Sequence, residues 1–229
     1  IINPEDKHAL EAALQLKDNH GAHVTVVSMG PPQAKNALRE ALCMGADEAI
    51  LLTDRAFGGA DTLATSKTIA AAIKNLEYDI IFGGRQAIDG DTAQVGPEMA
   101  EYLGIPHIAN VIDIINVKEN SMQLKMDMPN TVEIAEVKFP CLLTVEKDIF
   151  VPRLPSYKKK VASKDKEIRI ISFNDLEDKN EKKYGLNGSP TQVERIFPPE
   201  VNNDRQMWTG NINDLSDKIS SKLKELKFI

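Results

Sequence analysis

The stretch with the clearest chemical potential is residues 79–97, in which a short apolar run ends in two glycines and leads into a polar, glycine-rich loop. This pattern is typical of a buried parallel strand that breaks into a loop. Asp91 and Thr92 are good N-cap residues, and the spacing after them predicts a helix that ends at Gly104. A strand, a glycine loop and a helix N-terminus present free backbone N–H groups to an anion such as phosphate. The stretch has neither G-x-G-x-x-G nor a Walker lysine, so an ordinary βα turn is an equal alternative on these residues alone.

Other kinds of site have little support. There is no Ser–His–Asp or Cys–His set, and the four histidines share no ligand spacing, so we expect no catalytic residue and no metal site. Cys43 and Cys141 match no disulfide or metal spacing. We expect both to be small buried apolar groups, which suits a reducing compartment and a cytoplasmic protein.

Composition limits the partners. A formal net charge of −6 argues against nucleic acid, and the absence of an eighteen-residue apolar run argues against a membrane span. With 229 residues, 42% hydrophobic, the chain is long enough for one large domain with an appendage.

The elements around the loop alternate. Helices are predicted from Asn3 to about His20, from Pro31 to Gly45 and over 63–76, with strands at 24–30, 50–53 and 79–84. This alternation predicts an α/β fold, a Rossmann-like parallel-core sheet with helices on both faces. Beyond Pro106, strand-like runs without helices predict an extension by antiparallel strands; these runs are 111–117, 122–126, 131–137 and 142–145. We expect this nucleotide-binding domain to cover residues 1–147.

The remaining segments differ in texture. Residues 148–166 are broken by prolines, rich in apolar side chains and followed by lysines, which is typical of a docking loop or of a solvated linker. Residues 167–229 include a short strand near 168–171, a turn-rich loop, an extended segment at 193–199 and a final helix at 212–226, and we expect them to form an arm. Because the first predicted element is a helix with Asn3 as N-cap, we also expect an N-terminal strand to precede the sequence given.

Several long motifs, in this order, resemble the beta subunit of electron transfer flavoprotein over nearly the whole chain. They are Asn3-Pro4, Val26-Val27-Ser28-Met29-Gly30-Pro31, Met44-Gly45-Ala46-Asp47, Ala60-Asp61-Thr62-Leu63-Ala64-Thr65 and residues 84–96. The resemblance implies a subunit that pairs with an FAD-containing alpha subunit. It also implies an adenine nucleotide site, filled by structural AMP in ordinary members and by FAD in electron-bifurcating members.

Two features favour the bifurcating branch, in which FAD accepts a hydride from NADH. The loop 89–94 has glycine between its two acids, and the segment 185–193 looks like that of anaerobic bifurcating members. The implied partners are an acyl-CoA-dehydrogenase-like flavoenzyme and ferredoxin or flavodoxin. The alternatives are a non-bifurcating subunit with AMP, a stress-type adenine-nucleotide-binding regulator and an ATP-pyrophosphatase enzyme.

The resemblance also suggests the site residues. The expected cofactor-binding set is Asn3, Ser28, Met29, Gly30, Thr65, Gly83, Gly84, Arg85, Gln86, Asp89, Gly90, Asp91, Thr92, Ala93, Gln94, Val95 and Gly96. Backbone N–H groups of residues 92–95 would hold the pyrophosphate, with close approach at Gly90 and Gly96. Asp89 and Asp91 would organise the loop or contact a ribose hydroxyl, because carboxylates repel phosphate. In the family the loop at 151–164 anchors the partner dehydrogenase, and Leu154 and Tyr157 are the candidates here.

Overall fold

The computed structural model describes residues 1–198 and 205–229, in two compact units, residues 1–192 and 193–229. The second unit contains the helix Ile212–Glu225 (α7 in chain order), whose N-cap Asn211 accepts a hydrogen bond from the Asp214 N–H at 2.9 Å. The predicted final helix is therefore confirmed. Pro199, the end of the predicted extended segment, lies outside the described residues.

The first unit alternates helices and strands and then gives way to a run of strands. Its elements are α1 (Pro4–His20), β1 (Thr25–Met29), α2 (Lys35–Met44), β2 (Glu48–Leu52), α3 (Thr62–Ile73), β3 (Ile80–Gly84), α4 (Val95–Leu103), β4 (His107–Val117), β5 (Ser121–Met128), β6 (Thr131–Lys138), β7 (Cys141–Val145), α5 (Tyr157–Ala162), β8 (Arg169–Ile171) and the single turn α6 (Gly185–Gly188). The helix α5 was not predicted, because its segment was interpreted as an irregular loop. The strand predicted near residue 168 is confirmed as β8.

The strands form two hydrogen-bonded sheets, in the orders β1-β2-β8 and β3-β7-β4-β5-β6. All pairs of the first sheet are parallel, as are β3–β7 and β7–β4, whereas β4, β5 and β6 pair antiparallel. The predicted parallel core is confirmed, and the antiparallel extension is confirmed for β4, β5 and β6. The prediction was wrong for residues 142–145, because β7 pairs parallel with both of its neighbours and so belongs to the parallel core. The last strand of the run, β7, returns to lie between β3 and β4.

Helices cover both faces of the parallel core. Along β2, Leu51 packs in a cluster with α1 and α2, whereas Leu52 packs in a cluster with residues near α3. Alternate side chains of one strand therefore face opposite layers, as a doubly covered parallel strand requires.

A gap runs between the two sheets. Among the described residues, β1 pairs only with β2 and β3 only with β7. A cavity of about 1010 Å³ extends along both strands, from Thr25 and Asp79 near their amino ends to Met29 and Gly84 at their carboxyl ends. The carboxyl ends of parallel strands are where ligands of open α/β sheets bind.

Candidate nucleotide site and docking surface

The helix α4 begins later than predicted. Asp91 and Ala93 have φ angles of 53° and 54°, a left-handed conformation that a right-handed helix cannot include, so neither Asp91 nor Thr92 is its N-cap. Gln94 holds the cap position without a side-chain capping bond, and the helix starts at Val95. The predicted cap residues therefore form part of an open loop.

This late start leaves backbone donors free. No acceptor within residues 1–198 and 205–229 meets the backbone N–H groups of residues 92–96. A left-handed residue followed by a right-handed one, as at Ala93 and Gln94, turns successive N–H groups toward one point. Thr92 and the four residues after it line the cavity, so these donors are placed where an anion would be bound.

Neighbouring elements hold the start of α4. A Cβ at Gly96 would lie 2.4 Å from Thr144 Cγ2, so only glycine allows this close approach to β7. From α3, the Thr62 hydroxyl donates to Gln94 Oε1 at 3.1 Å, and the Ser66 hydroxyl donates to Glu98 Oε2 at 2.8 Å. The side-chain oxygen of Gln94 is thus hydrogen-bonded within the protein, and the side-chain NH₂ group remains as a donor for a ligand.

The first turn of α1 holds the start of the loop after β3. Asp6 Oδ1 accepts from the Gly84 N–H at 2.8 Å, and Glu5 Oε2 accepts from the Gln86 N–H at 2.9 Å. A Cβ at Gly84 would lie 2.6 Å from the Glu5 carbonyl carbon, so glycine is required here as well. Asn3 does not cap α1 with its side chain. Its side-chain oxygen instead accepts from the Ile88 N–H at 3.4 Å, and its NH₂ group donates to Gln86 O at 2.9 Å.

The cavity brings together most of the predicted cofactor-binding residues. Those lining it are Ser28, Met29, Thr65, Gly83, Gly84, Arg85, Gln86, Thr92, Ala93, Gln94, Val95 and Gly96. Those outside its lining are Asn3, Gly30, Asp89, Gly90 and Asp91. Asp91 accepts a hydrogen bond from the Gln86 side-chain amide, and a Cβ at Gly90 would meet no atom of the described residues within 4 Å.

Arg85 stands at the rim of this site. Its backbone N–H donates to Val145 O at 3.0 Å, and its half-exposed guanidinium contacts Glu146 Oε1 at 3.2 Å. The glutamate holds the side chain in place and balances part of its charge. Sequence reasoning gave no role in this site to Glu5, Asp6, Thr62 or Glu146, and no local signal marks such a role, since each acts on residues about 30 to 80 positions away.

The predicted docking loop presents apolar side chains to solvent. Leu154 is 86% exposed and Tyr157 82% exposed. Behind them, the Ser156 N–H donates to Cys43 O at 3.0 Å and Lys159 Nζ donates to Met44 O at 2.9 Å, which attaches α5 to the C-terminal end of α2.

Comparison with known proteins identifies the family. The model of the electron transfer flavoprotein domain matches residues 1–176. The chain belongs to the electron transfer flavoprotein family. It is 55% identical over 229 residues to the electron transfer flavoprotein subunit beta of Clostridium acetobutylicum, covering 100% of this chain and 88% of the relative.

Two further relatives carry names that include their partners. The chain is 47% identical over 232 residues to the caffeyl-CoA reductase-Etf complex subunit CarD of Acetobacterium woodii, covering 100% of this chain and 88% of the relative. It is 40% identical over 233 residues to the acryloyl-CoA reductase electron transfer subunit gamma of Anaerotignum propionicum, covering 97% of this chain and 87% of the relative. Electron transfer flavoprotein membership sets aside the stress-type regulator and the ATP-pyrophosphatase.

The site fits the kind of group that this family implies. The free N–H groups of residues 92–96 suit phosphate oxygens, and space for backbone contact is open at Gly83 and Gly90, where an added Cβ meets no described atom within 4 Å. No helix among the described residues is long and apolar enough to cross a membrane.

Proposed function

We propose that this chain is the beta subunit of a cytoplasmic, electron-bifurcating electron transfer flavoprotein that binds FAD at the carboxyl end of the cavity. When bound, FAD would accept a hydride from NADH and pass its electrons separately, to the alpha-subunit FAD with its partner dehydrogenase and to ferredoxin or flavodoxin. The observation that supports a nucleotide site is the row of N–H groups at residues 92–96, which open onto the cavity and meet no acceptor within residues 1–198 and 205–229.

The chain's own residues would bind and orient the cofactor. Thr92 and Gln94 would add side-chain donors to the backbone N–H groups around the pyrophosphate. Asp91 would keep its position as an acceptor from Gln86, which holds the loop without placing a carboxylate on the phosphates. Met29, at the end of β1, would border the adenine.

A nucleotide at the carboxyl end leaves most of the gap between β1 and β3 empty. We propose that a further β-strand, N-terminal to Ile1, fills this part. Within the described part of the chain, both flanking strands have one unpaired edge, and the gap is lined by apolar side chains from α1 and α3, such as Ala13 and Ile73. An added apolar strand should raise the melting temperature, whereas the same strand with a central proline should not.

Structural AMP is the alternative occupant, since the same donors suit any nucleotide phosphate. Two measurements on the heterodimer with the alpha subunit separate the two cases. We expect two flavins per heterodimer, and we expect NADH to bleach the flavin absorbance within seconds. One flavin with one AMP, or no bleaching by NADH, would contradict the bifurcating function.

A matched pair of variants links this function to the loop. Gly90→Ala adds a methyl group where the described residues leave open space, so the apoprotein should unfold like the unmodified protein. If the cofactor lies against the loop, the same methyl group should lower the flavin content. As a control, Ala135→Gly alters one methyl group on β6, and Ala135 does not line the cavity. Gly21→Ala is unsuitable as a control because Gly21 has φ 73°.

For the other surface, we propose that residues 148–166 dock an acyl-CoA-dehydrogenase-like flavoenzyme through Leu154 or Tyr157. The exposed apolar side chains support this, as do the CoA reductase names of two relatives. We also propose that the arm at residues 167–229 packs on the alpha subunit through its second unit, residues 193–229. Pull-down of the alpha subunit by chains truncated after residue 192 tests the second proposal, and retained binding would contradict it.

A further inference from the structure

Glu11 is a buried carboxylate that the nucleotide site does not use. It lies in the middle of α1 with 1% of its surface exposed, and it is the one charged residue among the buried described residues. A buried charge is costly unless a partner and hydrogen bonds compensate it. Its presence therefore requires a structural reason.

That reason is Arg153, in the docking loop. The Arg153 guanidinium donates to both carboxylate oxygens of Glu11, with Nε–Oε2 and Nη2–Oε1 distances of 2.8 Å, and the Arg153 backbone N–H donates to Oε2 at 3.0 Å. Arg153 Nη2 also lies 2.8 Å from Asp18 Oδ2, about two turns further along α1. Burial alone raises the pKa of Glu11, but the bonds from Arg153 outweigh it and hold the pKa below its usual range.

These contacts fix the chain on one side of Leu154, and other contacts fix it on the opposite side. Arg153 precedes Leu154, and Pro155 and Ser156 follow it, with the Ser156 N–H bonded to Cys43 O at 3.0 Å. Proline restricts the backbone between these two attachments. The Leu154 side chain itself remains 86% exposed.

We propose that the triad of Glu11, Arg153 and Asp18 is a positioning device that holds Leu154 outward as the anchor for an apolar recess with an acidic rim on the partner flavoenzyme. The inference rests on the proposed docking function and adds which contacts prepare the loop for it. Residues 148–166 carry six basic and two acidic side chains, although the chain as a whole has a net charge of −6. A local basic surface of this kind is complementary to carboxylates around the recess.

Pre-organisation explains why a buried ion triad is useful here. A loop that must be ordered on binding loses part of its contact energy, whereas a loop already held in its bound conformation does not. We therefore expect loss of the triad to weaken docking about tenfold while leaving electron delivery within the complex unchanged. Arg153 is a positioning residue, since Leu154 makes the contact.

The test uses the heterodimer with its alpha subunit, and a short-chain acyl-CoA dehydrogenase as the electron-exchanging probe. In the double variant Glu11→Leu/Arg153→Met, no buried charge is left unpaired, so the fold should be retained. We expect its KM for the dehydrogenase to rise about tenfold, with kcat, flavin content and melting temperature close to those of the unmodified heterodimer. Leu154→Ala should raise KM at least as much, whereas Ile134→Ala, which truncates a 69% exposed apolar side chain on β6, should not.

Other outcomes have distinct meanings. If KM is unchanged in the double variant but rises as expected in Leu154→Ala, the positioning role is overturned. Equal KM values for Leu154→Ala and the unmodified heterodimer would overturn Leu154 as the anchor. If the unmodified heterodimer exchanges no electrons with the dehydrogenase, the proposed function itself fails. Asp18→Asn removes the charge of the exposed member of the triad, so KM should rise less than in the double variant. Added salt should reduce this rise further, because salt screens the Asp18–Arg153 pair.

Discussion

The substitution Gly96→Ala tests how α4 is positioned at the nucleotide site. An added Cβ would lie 2.4 Å from Thr144 Cγ2 and 3.5 Å from Leu142 Cδ2. Thr144 is almost fully buried in β7, so the helix N-terminus, the strand or both must shift. Overpacking of this kind costs about 1–3 kcal/mol of the free energy of unfolding. For a chain of this size, that corresponds to a melting temperature lower by roughly 2–12 °C.

The assay is thermal unfolding followed by circular dichroism, with flavin content measured in parallel. Thr144→Ser removes Cγ2 but keeps the hydroxyl that lies 3.2 Å from His107 Nε2. The double variant Gly96→Ala/Thr144→Ser should therefore recover most of the loss, with a coupling of about 1 kcal/mol in the double-mutant cycle. Additive effects of the two substitutions, or a Gly96→Ala protein as stable as the unmodified one, would refute the close approach of α4 to β7.

Three further predictions concern single side chains. Burial lowers the pKa of His107, so the unfolded chain binds a proton at a higher pH than the folded chain does, and the free energy of unfolding should fall as the pH drops below about 6.5. In urea unfolding, His107→Gln should flatten this pH dependence. Equal slopes for the variant and the unmodified protein would contradict the prediction. Asp61 accepts from the Ala64 N–H at 3.0 Å and from the Thr191 hydroxyl at 2.7 Å. Asp61→Ala should therefore lower the free energy of unfolding by about 1–2 kcal/mol in the same measurement. A loss below about 0.5 kcal/mol, which is typical of an ordinary surface change, would contradict the prediction. Asp6→Ala removes the acceptor of the Gly84 N–H and should speed flavin loss on dilution several-fold. An unchanged rate would show that this contact of α1 does not support the site.

The parts of the fold that follow from local patterns were predictable from sequence. The helix α1 has a proline at its first position and ends at Gly21, which has φ 73°, and its bounds were predicted almost to the residue. The β-branched run of β1 and the buried β7 were recognised in the same way. These elements depend on side-chain periodicity and on glycine, both of which are visible within a few residues.

The misplaced start of α4 has a different origin. Asp91 and Thr92 have the side chains of an N-cap, but capping depends on the backbone, and here Asp91 has φ 53°. Asp91 turns instead toward Gln86, whose side chain donates to it. The short helix α5 was missed because half of its six residues are lysines. Its stability comes from contacts with α2, such as Lys159 Nζ to Met44 O, rather than from an apolar stripe.

The charged residues of α1 show most clearly what sequence reasoning could not reach. Neither Glu5 nor Glu11 was predicted to contact a distant loop, yet the Glu5 carboxylate holds the loop after β3 and the Glu11 carboxylate holds the loop that carries Leu154. Each partner lies about 80 or 142 residues away, so no spacing marks the pair. Six residues of a helix span about 9 Å, and a helix does not bend easily over that length. The loop after β3 and the loop that carries Leu154 are therefore both attached to one rigid element, which fixes the separation of their two attachment points.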